Sequence, residues 1–191
     1  VADREALTEA ELKRMMDLDL KAYPRVEAVR DTFVFCCFTG LAFCDIKSLK
    51  HSDITTDADG NMWIRKHRER TGELSVIPLL DVPRRLIEKY SNHPKVMLEG
   101  VVLPVISNQR MNAYLKEVAD LAKINRHLTS HIGRHTFAIL SLSNHVPIES
   151  ISKMLGHSDI RTTQIYAKMQ EKTIYEDMAS MRQKFDCVMI N

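Results

Sequence analysis

The chain has 191 residues, enough for one sizeable core with at most a small appendage. Its 45% hydrophobic and 27% charged residues are ordinary for a soluble globular domain, with no repeat, low-complexity linker, signal peptide or membrane-length apolar run. A net charge of +2 does not mark the whole chain as a polyanion binder, so any basic surface has to be local.

Thr8 followed by Glu11 forms a capping box and opens a first helix. Pro24 starts a second, which runs through the apolar stretch 32–38 until Gly40 stops it. A short third helix covers about 43–49. Residues 53–79 change character: Ile54, Met62 to Ile64 and Leu74 to Ile77 read as three short strands, with turns at 57–61 and 70–72. Helices resume near 82–91 and 108–122, continue through the motif region described below, and close with one from about 171 to 185. This predicts a single α+β domain, mostly α-helical, over residues 1–185, with a small three-stranded antiparallel sheet and a short tail at 186–191.

Charge and thiols are distributed unevenly. Residues 65–70, RKHRER, hold four fixed positive charges and one negative, and Arg84, Arg85 and Lys89 form a second basic group. By itself such a run reads as a solvated face; in a chain that binds nucleic acid, Arg65, Arg68 and Arg70 are the candidate DNA contacts. Cys36, Cys37, Cys44 and Cys187 lack metal-ligand spacing and read as reduced thiols of a cytosolic protein.

The densest information lies in residues 128–169, LTSHIGRHTFAILSLSNHVPIESISKMLGHSDIRTTQIYAKM. His131 and Arg134 are three apart, so a helix puts them on one face. Thr129 or Ser130 can cap that helix, and Ile132, Phe137, Ala138 and Leu140 supply its apolar side. An arginine fork matches two phosphate oxygens and stays charged at neutral pH. Gly156 can end the next helix, Ser158 or Asp159 can cap the one after, and His157 sits in the junction. Tyr166 follows nine residues past His157. One surface spot can thus gather two imidazoles, a guanidinium and a phenol.

His131-x-x-Arg134, Leu155-Gly156-His157-Ser158 and Tyr166, in this order, resemble the active-site end of the tyrosine recombinases, the integrase family of phages and mobile elements. Thr39-Gly40-Leu41 to Ile46 resembles the family's first box, T-G-L-R-x-x-E/D-L. Arg70-Thr71-Gly72, with Val76 to Leu79, resembles its lysine hairpin. The resemblance covers nearly the whole chain, apart from the N-terminal DNA-clamp domain that members usually carry, and so suggests an excised catalytic domain.

Two positions depart from that pattern: Ala42 stands where the family has arginine, and Arg70 where it has lysine. Alanine cannot hold phosphate, and arginine is a poor proton donor. Arg30, twelve residues before Ala42, is the expected replacement cation, with Lys47 as a second candidate. Lys66 is the candidate acid, and Asp45 is expected to order nearby donors. His51, His67, His93, His127, His135 and His145 have no partner at metal spacing, so neither metal nor cofactor is expected. His135 projects about 100° around the helix from Arg134 and is expected to pack or orient.

The resemblance implies site-specific recombination of duplex DNA. Tyr166 would attack a phosphate, and Arg134, His131 and His157 would hold its oxygens. Four protomers would assemble on two duplexes, with accessory DNA-bending proteins, in the bacterial cytosol or nucleoid. The tail would dock on a neighbouring protomer. Two alternatives stay open: a catalytically impaired DNA-binding paralogue, favoured by Ala42 and Arg70, and cleavage and religation of a single duplex as in type IB topoisomerases.

Overall fold

The structure, a computed structural model, describes residues 6–188 and residue 190; residues 1–5 and Met189 and Asn191 of the tail lie outside them. Helix α1 (Glu9–Met16) begins at the expected capping box, with Thr8 Oγ1 accepting the Glu11 N–H and Glu11 Oε1 accepting the Thr8 N–H. Helix α2 (Pro24–Thr39) has Pro24 in its first turn and ends at Gly40. It is the central helix, buried on nearly every side.

Phe33 and Phe35 show why. They lie about 200° apart on a helix of 3.6 residues per turn, both are fully buried, and each belongs to a different core. Phe33 packs with Leu12, Met15, Leu115 and Leu128, between α2, α1 and α6 (Asn108–Leu121). Phe35 packs with Leu41, Ile46, Ile64, Ile77 and Leu103, on the sheet side. Each such ring contributes about 1.5–3 kcal/mol by burial.

The three strands are β1 (Ile54–Thr56), β2 (Met62–His67) and β3 (Leu74–Pro78), antiparallel in the order β1-β2-β3. Ile64 pairs with both Ile54 and Ile77 and is fully buried, so it pins the register. Helices α3 (Phe43–Lys47), α4 (Asp81–Lys89) and α5 (Pro94–Glu99) flank the sheet side. The α5 helix was not foreseen; its six residues are too few to show a periodic apolar pattern.

The motif region forms α7 (Ser130–Ser143), α8 (Ile148–Leu155) and α9 (Arg161–Asp177), followed by α10 (Ala179–Phe185). The helix expected after Ser158 or Asp159 begins at Arg161 and carries Tyr166, but it runs on to Asp177, so the break before the last helix falls near Met178 and not near 171. Among the described residues no helix is long and apolar enough to cross a membrane.

Two glycines let α7 press against α2. A Cβ at Gly133 would lie 2.8 Å from Cys36 Sγ, and one at Gly40 would strike the Phe137 ring. Gly40 also sits at φ 71°, a left-handed conformation that side chains disfavour. The close packing brings the carbonyl end of α2 against the first turns of α7, where His131 and Arg134 lie.

Candidate functional site

A cleft of about 280 Å³ opens where four segments meet: the Ala42 end of the α2–α3 loop, the β2–β3 hairpin, the first turns of α6, and the start of α7. Arg68, Arg70 and Arg134 line it, His131 stands at its edge, and among the described residues no carboxylate lines it. A concave surface with three arginines and no lining acid is suited to an anion.

Arg134 is 7% exposed and held from two sides. Its Nη1 donates to Gly40 O at 2.6 Å, and its Nη2 donates to Leu155 O at 2.7 Å. These carbonyls close α2 and α8, so the guanidinium ties two helix ends together. Burial, and then the neighbouring Arg68, pull the Arg134 pKa down to about 10, and the group stays charged at neutral pH.

His157 is set against this guanidinium. Arg134 Nη2 lies 3.2 Å from His157 Nε2, and His157 Nδ1 lies 2.7 Å from Thr163 Oγ1. A guanidinium can only donate, so Nε2 is the acceptor and the proton resides on Nδ1, which donates to Thr163. Burial, then the charges of Arg134 and Arg68, push His157 down to about 4, in keeping with this neutral ring.

Tyr166 is 8% exposed and packs with Phe137, Ala138, Ile151 and Leu155. The His135 ring meets it edge-on at 5.3 Å and lies 6.4 Å from the His131 ring. His135 thus spans the gap between Tyr166 and the cleft mouth, the packing role expected of it. Tyr166 lies close enough to Arg134 to influence its charge, but it does not line the cleft.

The hairpin supplies the other cations. Ile64, Lys66 and Arg68 face inward on β2 and its extension, while Arg65 and His67 face solvent. Arg68 Nε is buried without a hydrogen-bond partner, 3.8 Å from Asp45 Oδ2, and its Nη1 reaches Gly156 O at 3.5 Å. Asp45 is 1% exposed, and its Oδ1 accepts the Glu69 N–H at 2.8 Å. It orders the hairpin, as anticipated. Lys66 Nζ is held by Glu69 at 3.3 Å beside the cleft without lining it. Arg70 is exposed at the rim, and Arg65 does not reach the cleft.

A family model described as the phage integrase family matches residues 5–173. The chain belongs to the phage integrase family. It is 33% identical over 156 residues to a tyrosine recombinase of Agathobacter rectalis, covering 75% of this chain and 49% of that protein. It is 32% identical over 132 residues to the tyrosine recombinase XerA of Saccharolobus solfataricus, covering 69% of this chain and 42% of that one. The chain therefore spans about half the length of these curated relatives. Its fold matches that of the XerH site-specific recombinase bound to a palindromic difH substrate in a post-cleavage complex, with a TM-score of 0.68 at 18% identity over 90% of this chain and 53% of that one.

One expectation for this integrase-family chain is overturned. Arg30 does not replace the arginine missing at Ala42. It is 6% exposed, ion-paired to Asp31 at 2.8 Å, and its Nη1 donates to the carbonyls of Met15, Met16 and Leu18 at the end of α1. The nine residues from Arg30 to Thr39 place it about 14 Å up α2 from the cleft at 1.5 Å per residue. Lys47 is exposed and does not line the cleft either. Arg68, foreseen only as a DNA contact, lines the same cleft as Ala42; strand alternation was the signal that could have found it. Among the described residues no group of His, Cys, Asp or Glu is placed to hold a metal.

Proposed function

We propose that this chain is the catalytic region of a site-specific DNA recombinase that integrates, excises or inverts a DNA element. The observation that carries this reading is the cleft itself, with Arg68, Arg70 and Arg134 converging, no carboxylate among its described lining residues, and Tyr166 near Arg134 outside it. A scissile phosphate placed there would meet Arg134 and Arg68 on its non-bridging oxygens, with His131 and His157 adding hydrogen bonds as charge builds. Arg68 supplies the second fork that Ala42 lacks.

Tyr166 Oη forms a bond to phosphorus, giving a 3′-phosphotyrosyl ester, and the P–O5′ bond breaks. The phenol loses its proton, and O5′ takes one, for which Lys66 is the proposed donor. A 5′-hydroxyl from the partner strand reverses the step, so no external energy source is needed. Tyr166 is 8% exposed and does not line the cleft, so attack requires α9 to shift toward it.

Assembly as a tetramer on two duplexes follows the same reading. An apolar cleft of about 310 Å³ lies between α1, α2 and α7, lined by Leu12, Phe38, Phe137 and Leu140. Met178, Met181 and Phe185, exposed at the C-terminal end, have the chemistry to fill it on a neighbouring protomer.

The competing reading is a DNA-binding paralogue without cleavage, favoured by Ala42 and Arg70. A nicked suicide duplex carrying the natural site decides between them. The chain should give a denaturant-resistant protein–DNA adduct, and Tyr166→Phe should bind DNA and give none. An adduct in the Phe variant would remove Tyr166 from its role. Binding without any adduct in the unaltered chain would establish the paralogue.

A further inference from the structure

We propose that Thr163 is a positioning residue: its hydroxyl holds the His157 ring in the orientation that accepts from Arg134, and the same contact seats the first turn of α9, tying the clamp to Tyr166. The proposal rests on the reading of the cleft as a phosphate clamp.

Thr163 is fully buried in the first turn of α9, where a hydroxyl would otherwise be costly. Its Oγ1 lies 2.7 Å from His157 Nδ1, a bond between the α8–α9 junction and the helix that follows. The ring has two nitrogens and two distinct partners, Arg134 on Nε2 and Thr163 on Nδ1. Only the tautomer with its proton on Nδ1 satisfies both. An apolar neighbour on Nδ1 would leave that N–H unpaired, so the ring would turn away from the Arg134 N–H and could then carry its proton on Nε2.

Position on α9 gives the contact its reach. Thr163 and Tyr166 are three residues apart and share a face, and both are buried. Arg134, His157, Thr163 and Tyr166 therefore form a chain from phosphate clamp to phenol, all of it within the described residues. When a phosphate enters, Arg134 Nη2 can turn to it, and His157 can take a proton on Nε2 and donate as well. Thr163 remains the acceptor for Nδ1–H in both states, so the ring need not rotate.

The test uses imidazole nitrogen chemical shifts, read on the DNA-free chain, so it stands apart from any cleavage assay. In the unaltered chain His157 should show its proton on Nδ1 and an unprotonated Nε2 at pH 7. The opposite tautomer there would overturn the proposal without any variant. Thr163→Val should move the proton to Nε2 and slow adduct formation on the suicide duplex by up to about a hundredfold, the scale of a misplaced catalytic group. Thr163→Ser, which keeps the hydroxyl, should restore both the tautomer and the rate. A Val variant with the original tautomer and rate, or a Ser variant as impaired as Val, would show that Thr163 is only core filling. If no chain cleaves but the tautomer switches as described, the positioning role stands and the recombinase reading is what fails.

Discussion

Arg30 and Arg134 are almost equally buried, at 6% and 7% exposure, and both donate to carbonyls at helix ends. Their charge environments differ. Arg30 has Asp31 against it at 2.8 Å, and Asp31 is further held by Lys89 and Tyr90. Arg134 has no carboxylate in contact among the described residues; its near neighbours are a neutral histidine and a second arginine, and its pKa falls to about 10. A buried cation with its counter-ion in place is a finished piece of structure. A buried cation that repels its neighbour is costly until an anion arrives, which supports the proposed phosphate site.

Four measurements break or sharpen this contrast. Arg134→Ala should lower adduct formation about a thousandfold or more, because a charge-assisted fork leaves the transition state. Arg134→Lys should recover little of it. Near-normal cleavage in the Lys variant would mean that the fork is not used.

Arg68→Ala comes next, with a loss of about a hundredfold, one cation being removed from two. Adding Ala42→Arg in that background should restore part of the rate, since both positions line the same cleft. No rescue, together with normal folding, would separate the two positions.

Arg30→Met should do the reverse. It should destabilise the fold by about 2–4 kcal/mol, because the carbonyls of Met15, Met16 and Leu18 lose a donor and the buried pair with Asp31 is broken. Cleavage per folded molecule should stay unchanged. A drop in cleavage at full stability would return Arg30 to the active site.

The smallest effect concerns pH. The His157 pKa is depressed from 6.5 to about 4 in the folded chain. Below 6.5 the unfolded chain takes up a proton that the folded chain refuses, so stability is complete above 6.5 and drains away toward pH 4. Chemical denaturation across that window should show less of this loss in His157→Asn. An identical pH slope in both would place the titration elsewhere.

Much of the fold was legible locally. The Thr8 capping box, Pro24, Gly40 and the hairpin turn at Gly72 act through backbone geometry and nearest neighbours, so the sequence declares them directly. The ordered spacing of His131, Arg134, His157 and Tyr166 was legible for the same reason, since each lies on a helix or at its end. The α9–α10 break at Met178 was not, for no glycine or proline marks it.

Tertiary structure alone decided which cations belong to the cleft. Arg134 meets Gly40 across 94 residues of chain, and Arg68 reaches Gly156 across 88. Those contacts depend on how closely α2 and α7 pack and on which face β2 turns inward, and both depend on the whole core. Arg30, nearest to Ala42 along the upstream chain, lies on a part of α2 that turns toward α1. Sequence distance measures how far a side chain can travel along one helix; a clamp needs side chains from several elements directed at one point, and only packing sets those directions.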